Sequence, residues 1–540
     1  MEGTNILTSI IHQFLLFVPV FLYAEIHYRF KYFFSLLKKS EPEIIADAPY
    51  RIEPGVDIPL LLLIKDSHHY PCVLGNVTVK VMKQGKLIHS ECVHNKEEAI
   101  TQKWWWSIYP IKATKEMNGK IELDVEFTIE YNHKKRSYHN DNYRTSSHAP
   151  LKLFISQEPL PSYKSLYLGE IHSHSNYTED QVEFGAPIEP TAQLAKALGL
   201  SFFAVTDHSY DLDDHPDNYL LNHPETPKWF DFQNEVSKLQ NSSVTIIPGE
   251  EVTCRNNTGE NVHLLILNNK IFFPGSGDSA ERWLRTQSEL SISEVTAQLG
   301  TETITIAAHP LEPVSILQRI LLNRGNWQND DFEANQINGI QFINGMLNDG
   351  NKRGYEFWIN TLLSGKRVSI VAGNDAHGNF NRFRQISIPF LKIGERNNQI
   401  FGEFRTGIFA PDKSRESILE SLRLGKTIAT NGPVANITRI NNHTSLLGSE
   451  IKGGLCIHCQ TLSSQEFGTI KKVLLYEGIK GNRIENILYE LNKLETYSYK
   501  FDLLITVKQP KYIRLEVYTE NAEDKKQYFC ITNPVWFTYK

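Results

Sequence analysis

The chain has little cysteine, no excess of charge of one sign and no clean apolar run of membrane length, and each shortage excludes something. Its six cysteines (Cys72, Cys92, Cys254, Cys456, Cys459, Cys530) are scattered over 540 residues, which excludes a disulfide framework. The one close pair, in Cys456-Ile457-His458-Cys459, lacks the second pair that a zinc site needs, so the cysteines read as reduced core residues. Lys+Arg 56 against Asp+Glu 62 leaves no polybasic surface, and a grip on nucleic acid by bulk charge is excluded. The run Ile6–Tyr23 is interrupted by His12, Gln13 and Pro19, short of the roughly 20 apolar residues a spanning helix wants. Nor does Met-Glu-Gly, with only Leu22-Tyr23-Ala24 as a cleavage candidate, make a good secretory signal. The six Asn-x-Ser/Thr sequons do not argue for secretion either, since Asn176 falls inside a motif described below.

What is present is a globular composition, 41% hydrophobic and 22% charged. Single cores stop growing near roughly 250–300 residues, so about three domains are expected. Residues 1–39 read as a hydrophobic N-terminal segment; its aromatic and basic part, Tyr28–Lys39, covers a neighbouring domain or sits at a membrane interface. Membrane association through residues 6–23 therefore stays open, and the location is cytoplasmic or membrane-associated. Residues 40–155 carry short strand-like runs between turn signals (Asp57–Ile64, Val77–Met82, Ile121–Glu130, Leu151–Ile155), the grammar of a β-sandwich. There Trp104-Trp105-Trp106 suits a core or an interface better than a ligand platform. From 156 to 430 strand and helix alternate, and residues 431–540 return to strands in a second sandwich-like, β-rich domain.

The metal-capable side chains of the middle region fall at the ends of its expected strands. Tyr167-Leu168 leads into Gly169-Glu170-Ile171-His172-Ser173-His174, Phe202–Val205 into Thr206-Asp207-His208, and Val244–Ile247 into Pro248-Gly249-Glu250-Glu251. His263 opens Leu264–Leu267, Thr303–Ala307 leads into Ala308-His309-Pro310, and Val368–Ala372 into Gly373-Asn374-Asp375-Ala376-His377. With the ligand-free run Gly339–Ile343 there are seven strands, and in a (β/α) barrel their carboxyl ends converge on one face. Any one of these motifs alone is an ordinary polar strand edge. Six histidines and at least two carboxylates recurring at successive strand ends point to a metal site.

The order His-x-His, Thr-Asp-His, Gly-x-Glu, His, Ala-His-Pro, Asp-x-His resembles the PHP (polymerase and histidinol phosphatase) superfamily. Gly-Glu-Ile-His-Ser-His-Ser-Asn-Tyr, Pro-Gly-Glu-Glu-Val-Thr and Asn431-Gly432-Pro433 resemble its CehA/McbA-like metallohydrolase branch. The resemblance implies an α/β fold, a distorted seven-stranded (β/α) PHP barrel flanked by two β-sandwich-like domains. It also implies a trinuclear site. His172, His174, Glu251 and Asp375 would hold one ion, Glu251 with His263 and His309 a second, and His208 and His377 a third with Glu179 or Asp180. The last pair marks a departure, since the family usually has Ser-Asp-Gly where this chain has Thr178-Glu179-Asp180.

Imidazole and carboxylate without thiolate suit two or three divalent ions, Mn, Fe or Zn. Asp207, Glu251 and His309 are the expected catalytic residues, with Asp207 orienting a ligand or moving a proton. Arg255, Arg382 and Arg384 follow ligand motifs and are candidates to hold a substrate oxyanion, although they read equally as solvated surface arginines. The expected activity is a metal-dependent hydrolase, foremost a phosphoesterase acting on a small molecule. Its alternatives are a carbamate, ester or amide hydrolase and, from another class, a non-catalytic β-domain binding protein with a relic barrel.

Overall fold

The computed structural model describes residues 41–539 apart from 144–145, 180–184, 217, 280–285, 335 and 389–391, and for side chains also apart from 219–220, 317, 333–334, 383–388 and 392–394. The expected segment at residues 6–23 and the candidate ligand Asp180 lie outside the described residues, as does the side chain of Arg384.

The amino-terminal part packs two antiparallel-rich sheets face to face. One joins Glu43–Asp47, Ile58–Lys65 and Trp104–Ile111; the other is built on Cys72–Lys83, Gly119–Tyr131 and Leu151–Ile155. Gly119–Tyr131 alternates buried and half-buried positions, the period-2 pattern of a strand with one face in a core. The tryptophan run is half-buried throughout. Trp105 packs on the core between the two sheets, while Trp106 and Ile108 pack on the helical layer of the central region, so the run serves as an interface. Buried Arg51 pins that interface to the far end of the chain, bonding Glu53 and Glu466 at 2.5 and 2.8 Å.

The seven expected middle strands are present: β1 (Leu166–Glu170), β2 (Phe202–Val205), β3 (Thr245–Arg255), β4 (Asn261–Leu267), β5 (Ile304–Ala308), β6 (Gly339–Asn344) and β7 (Ser369–Gly373). They lie side by side in that order within one 15-stranded sheet. Helices α1 (Ile188–Ala197), α2 (Pro227–Lys238) and α3 (Asp349–Leu363) occupy the β1–β2, β2–β3 and β6–β7 connections. The helix α3 starts at a reciprocal cap between Asn348 and Asn351.

The expected seven-stranded (β/α) barrel is not what these strands form, for two physical reasons. After β3 the chain meets Asn256-Asn257-Thr258-Gly259, where the Asn256 carboxamide oxygen accepts from the Thr258 and Glu260 amides and Gly259 takes φ +80°. That tight turn returns the chain as a hairpin where a parallel barrel needs a helical crossover, so β3–β4 and β4–β5 are antiparallel. The outer edge of β1, moreover, pairs antiparallel with β8 (Arg405–Phe409). Through β9 (Thr427–Thr430) the sheet then runs on into the C-terminal strands Gln527–Thr532 and Lys511–Glu520. The result is a curled, open half-barrel in a mostly β molecule, 44% strand and 15% helix. Its two rims meet in a two-residue parallel ladder, Ser173–His174 with Ala376–His377, and in the bonds of Asn374 to Glu170.

Four of the six cysteines (Cys72, Cys254, Cys459, Cys530) are buried as free thiols. Among the described residues no helix is long and apolar enough to cross a membrane.

Candidate metal centre

The curl of the sheet brings the strand-end motifs to one place. His172 and His174 follow β1, His208 follows β2, Glu251 lies on β3, His263 on β4, His309 follows β5, and Asp375 and His377 follow β7. Because β3 and β4 are antiparallel, His263 stands opposite Thr253 and diagonal to Glu251 on the same face.

Glu251 is the hub. Its fully buried carboxylate has His172 Nε2 at 3.2 Å, His174 Nε2 at 3.3 Å and His208 Nδ1 at 3.1 Å from Oε2. His309 Nε2 is 3.2 Å from Oε1, and His263 Nδ1 touches the same oxygen. Asp375 Oδ1 lies 3.3 and 3.1 Å from His172 and His174. Three groups each place one ligand atom per residue within 4.8 Å of one another: His172, His174, Glu251 and Asp375; His208, Glu251 and His263; His174, His208 and His377.

Two observations test whether these residues fit cations. The Nε2 atoms of His172 and His174 face each other at 3.3 Å, and at most one can carry a proton toward the other. Buried Glu251 Oε2 and His208 Nδ1, although adjacent, have no partner in hydrogen-bond geometry. Buried polar atoms are satisfied in nearly all native structures, and a divalent ion would satisfy this set.

The ring orientations suit the same reading. His263 faces Asp278 through Nε2 at 2.8 Å, which leaves Nδ1 turned to the cluster; His172 holds Gln341 Oε1 through Nδ1 at 2.8 Å, leaving Nε2 for the cluster. Asn344 and Gln399 donate to Asp375 Oδ2 at 3.2 and 3.3 Å. The backbone is strained where two of these residues sit, with His309 at φ +29° and Asp375 at +52°, conformations that side-chain-bearing residues rarely hold away from functional sites.

Burial and neighbouring charge move the cluster's imidazoles in opposite directions. Burial opposes charge on His174, but Asp375 and Glu251 overcome it and push the imidazole up to about 10. Burial and Arg324 oppose charge on His263, and Glu251 with Asp278 raise it to about 9. His208 and His377 are driven down, first by burial and then by His174. Burial disfavours the Glu251 carboxylate, yet His263, His172 and His208 hold it well below the usual range.

The remaining expected residues lie elsewhere. Glu179 turns away from the cluster to Lys103 at 2.7 Å and Lys65 at 3.6 Å, both from the amino-terminal sheets. Asp207, beside His208, accepts at Oδ1 from the amides of Ser175 and Thr178 and at Oδ2 from the Ser175 hydroxyl, so it holds the loop that carries His174. Arg255 reaches Glu294 and the Glu289 carbonyl. Arg382 bonds Ser147, Glu395 and the Pro150 carbonyl. Neither arginine lines the adjoining pocket, which holds about 300 Å³ and is walled by His263, His309, Glu312, Arg324, Asn344 and Asp375. Arg324 and Asp278 were missed because they lie in long connections with no motif around them. Gln341 was missed because the strand Gly339–Ile343 showed no ligand at its end.

No family model matches the chain, and no curated protein matches it. Among solved structures it matches a β-glucuronidase from Parabacteroides merdae at 9% identity and a TM-score of 0.18, covering 92% of this chain and 64% of that one. It also matches a putative β-galactosidase from Bacteroides fragilis (9%, 92% and 73%, TM-score 0.18) and a glycosyl hydrolase family 2 member from Bacteroides cellulosilyticus (9%, 92% and 64%, TM-score 0.18). The chain thus spans just under two thirds of the length of the first of these. Scores so low carry no argument about its fold or its substrate. The expected family is withdrawn on another ground: no model of the PHP superfamily, or of any other, matches the chain. The phosphoesterase assignment, and the carbamate, ester or amide and relic-barrel alternatives set beside it, rested on the motif resemblance and are withdrawn with it.

Proposed function

We propose that this chain is a hydrolase of a small molecule and that its chemistry depends on two or three divalent ions, Mn, Fe or Zn, held by the histidine and carboxylate cluster. The observation that carries the reading is the buried Glu251 carboxylate with five imidazoles within bonding distance of its two oxygens. Such a hub is costly to bury unless cations compensate it.

Glu251 would be shared between sites, with His172, His174 and Asp375 on one side and His208, His263 and His309 on the other; His377 joins His174 and His208 in a third. What divalent ions supply in such a centre is a water acidified to hydroxide at neutral pH and compensation of negative charge on the substrate. The protein's own residues do the rest. Asp278 and Gln341 hold His263 and His172 in the ligating tautomer, Asp207 anchors the loop of His174, and Asn344 with Gln399 fixes Asp375. His309, at the pocket wall, is the ligand that also faces an entering substrate, and Glu312 faces the same space.

The test pairs metal content with turnover. Metal per chain is measured by mass spectrometry on the purified protein, on His174→Ala and on Glu251→Gln, with circular dichroism to check folding. Hydrolysis is then followed over a chromogenic panel of glycosides, carboxylic esters and other activated esters. Bound metal that falls in both variants together with hydrolysis supports the reading. A folded, metal-free native protein, or turnover that survives in both variants, refutes it.

A further inference from the structure

Among the described residues lining the 300 Å³ pocket, Arg324 is the only permanent cation. It reaches the pocket from the loop after Ile316–Leu322, and its side chain is one quarter exposed. One edge is committed: Nη1 donates to Asp278 Oδ2 at 2.6 Å, and Asp278 is itself held by the Thr253 hydroxyl at 2.6 Å and by His263. The other edge is different. Nη2 has His263 Nδ1 at 3.3 Å, and Nδ1 is the atom that the metal reading assigns to an ion. The lone pair cannot serve both. In the loaded protein Nη2 must therefore find another acceptor, and a guanidinium N–H left without one in a confined site is unfavourable. The pocket lies beside it, and a guanidinium held rigidly along one edge presents the other as a donor suited to a negatively charged oxygen.

We infer that Arg324 is the anion-recognising residue of the pocket and that the substrate carries a negatively charged oxygen group, bound by Nη2 next to His263 and His309. The inference rests on the metal-dependent reading of the site and adds to it the charge class of the substrate. Asp278 then serves two ends at once, orienting a ligand imidazole and aiming the guanidinium.

The experiment uses the full chain loaded with Mn²⁺, as the native protein, Arg324→Gln and Arg324→Lys. Metal content is measured for each, and sulfate and acetate are titrated by calorimetry as oxyanion probes that distinguish a tetrahedral from a planar group. The native protein is expected to bind at least one of them. Arg324→Gln should bind it about tenfold more weakly, the loss of one charge-assisted bond, with metal content unchanged and Arg324→Lys in between. Equal affinity in Arg324→Gln with metal retained overturns the inference, and so does a native protein that holds metal and binds neither anion. If Arg324→Gln sheds its metal, Arg324 is a positioning residue for His263 and the anion role falls. A native protein that retains no metal defeats the metal reading first, and this inference with it.

Discussion

Asp278→Asn isolates the part of the site that lies outside the ligand set. Asp278 is 2% exposed as a side chain and accepts three bonds, from Thr253 Oγ1 at 2.6 Å, His263 Nε2 at 2.8 Å and Arg324 Nη1 at 2.6 Å. A carboxamide with its oxygen at the Oδ2 position keeps the His263 and Arg324 bonds in place and lets the Thr253 hydroxyl rotate to accept, so shape is conserved and charge is lost. Two effects follow. The charge of Arg324 loses its partner; removing one member of a buried pair costs about 3–5 kcal/mol, and the partial exposure of Arg324 lowers this to roughly 2–4. His263 becomes a poorer ligand, because the carboxylate no longer fixes its tautomer or raises its basicity; loss of such a partner weakens metal binding about 10–100-fold, or roughly 1.4–2.7 kcal/mol. Competition against a graded chelator reads the second effect, and urea unfolding in excess chelator reads the first. A folded Asp278→Asn that binds metal as tightly as the native protein refutes the tautomer argument.

Further outcomes follow from the same geometry. Glu179→Gln should leave metal content unchanged and only loosen the loop after Thr178, since its carboxylate is spent on Lys103 and Lys65; metal lost in that variant would return Glu179 to the ligand set. In the metal-free protein the contribution of the cluster imidazoles to stability should peak near their ordinary value of about 6.5. His174 and His263, raised to about 10 and about 9, contribute stability that is complete below that value and lost as pH rises through 9 to 10. His208 and His377, lowered, contribute stability that is lost as pH falls below it. Urea midpoints in chelator across this range check the maximum, and a monotonic profile would contradict it. Gly185→Ala should strip metal from a folded protein, because its Cβ would lie 2.2 and 2.3 Å from the carbonyl oxygens of His174 and Ser175 and force that loop to move; unaltered metal content would show that the loop tolerates the shift.

The ligands were legible in the sequence because each sits beside a strand whose apolar run is itself legible: Phe202–Val205 before Asp207-His208, Val368–Ala372 before Asp375-Ala376-His377. Strand count could be read, since each run ends in a turn or ligand signal. Strand direction could not. Whether β4 runs parallel or antiparallel depends on the five-residue turn after Arg255, and the strand–helix rhythm around it does not reveal that hairpin. Likewise Asp278, Arg324 and Lys103 gain their roles only from tertiary neighbours, and nothing in their local sequence separates them from other charged loop or strand residues. Resemblance of short motifs misled at the level of fold and family, because a cluster of histidines constrains where strand ends meet and not how the strands between them are wired.

The two-residue ladder that joins Ser173–His174 to Ala376–His377 has a kinetic consequence. His174 and Asp375 stand 201 positions apart, so the full cluster cannot exist until the first and last strands of the half-barrel are both in place, and the entropy of closing so long a loop is met before Asp375 and His377 reach His172 and His174. Ions bound as proposed, needing both rims, would be captured late and act as a latch: they should slow the opening of the native protein far more than they speed its formation.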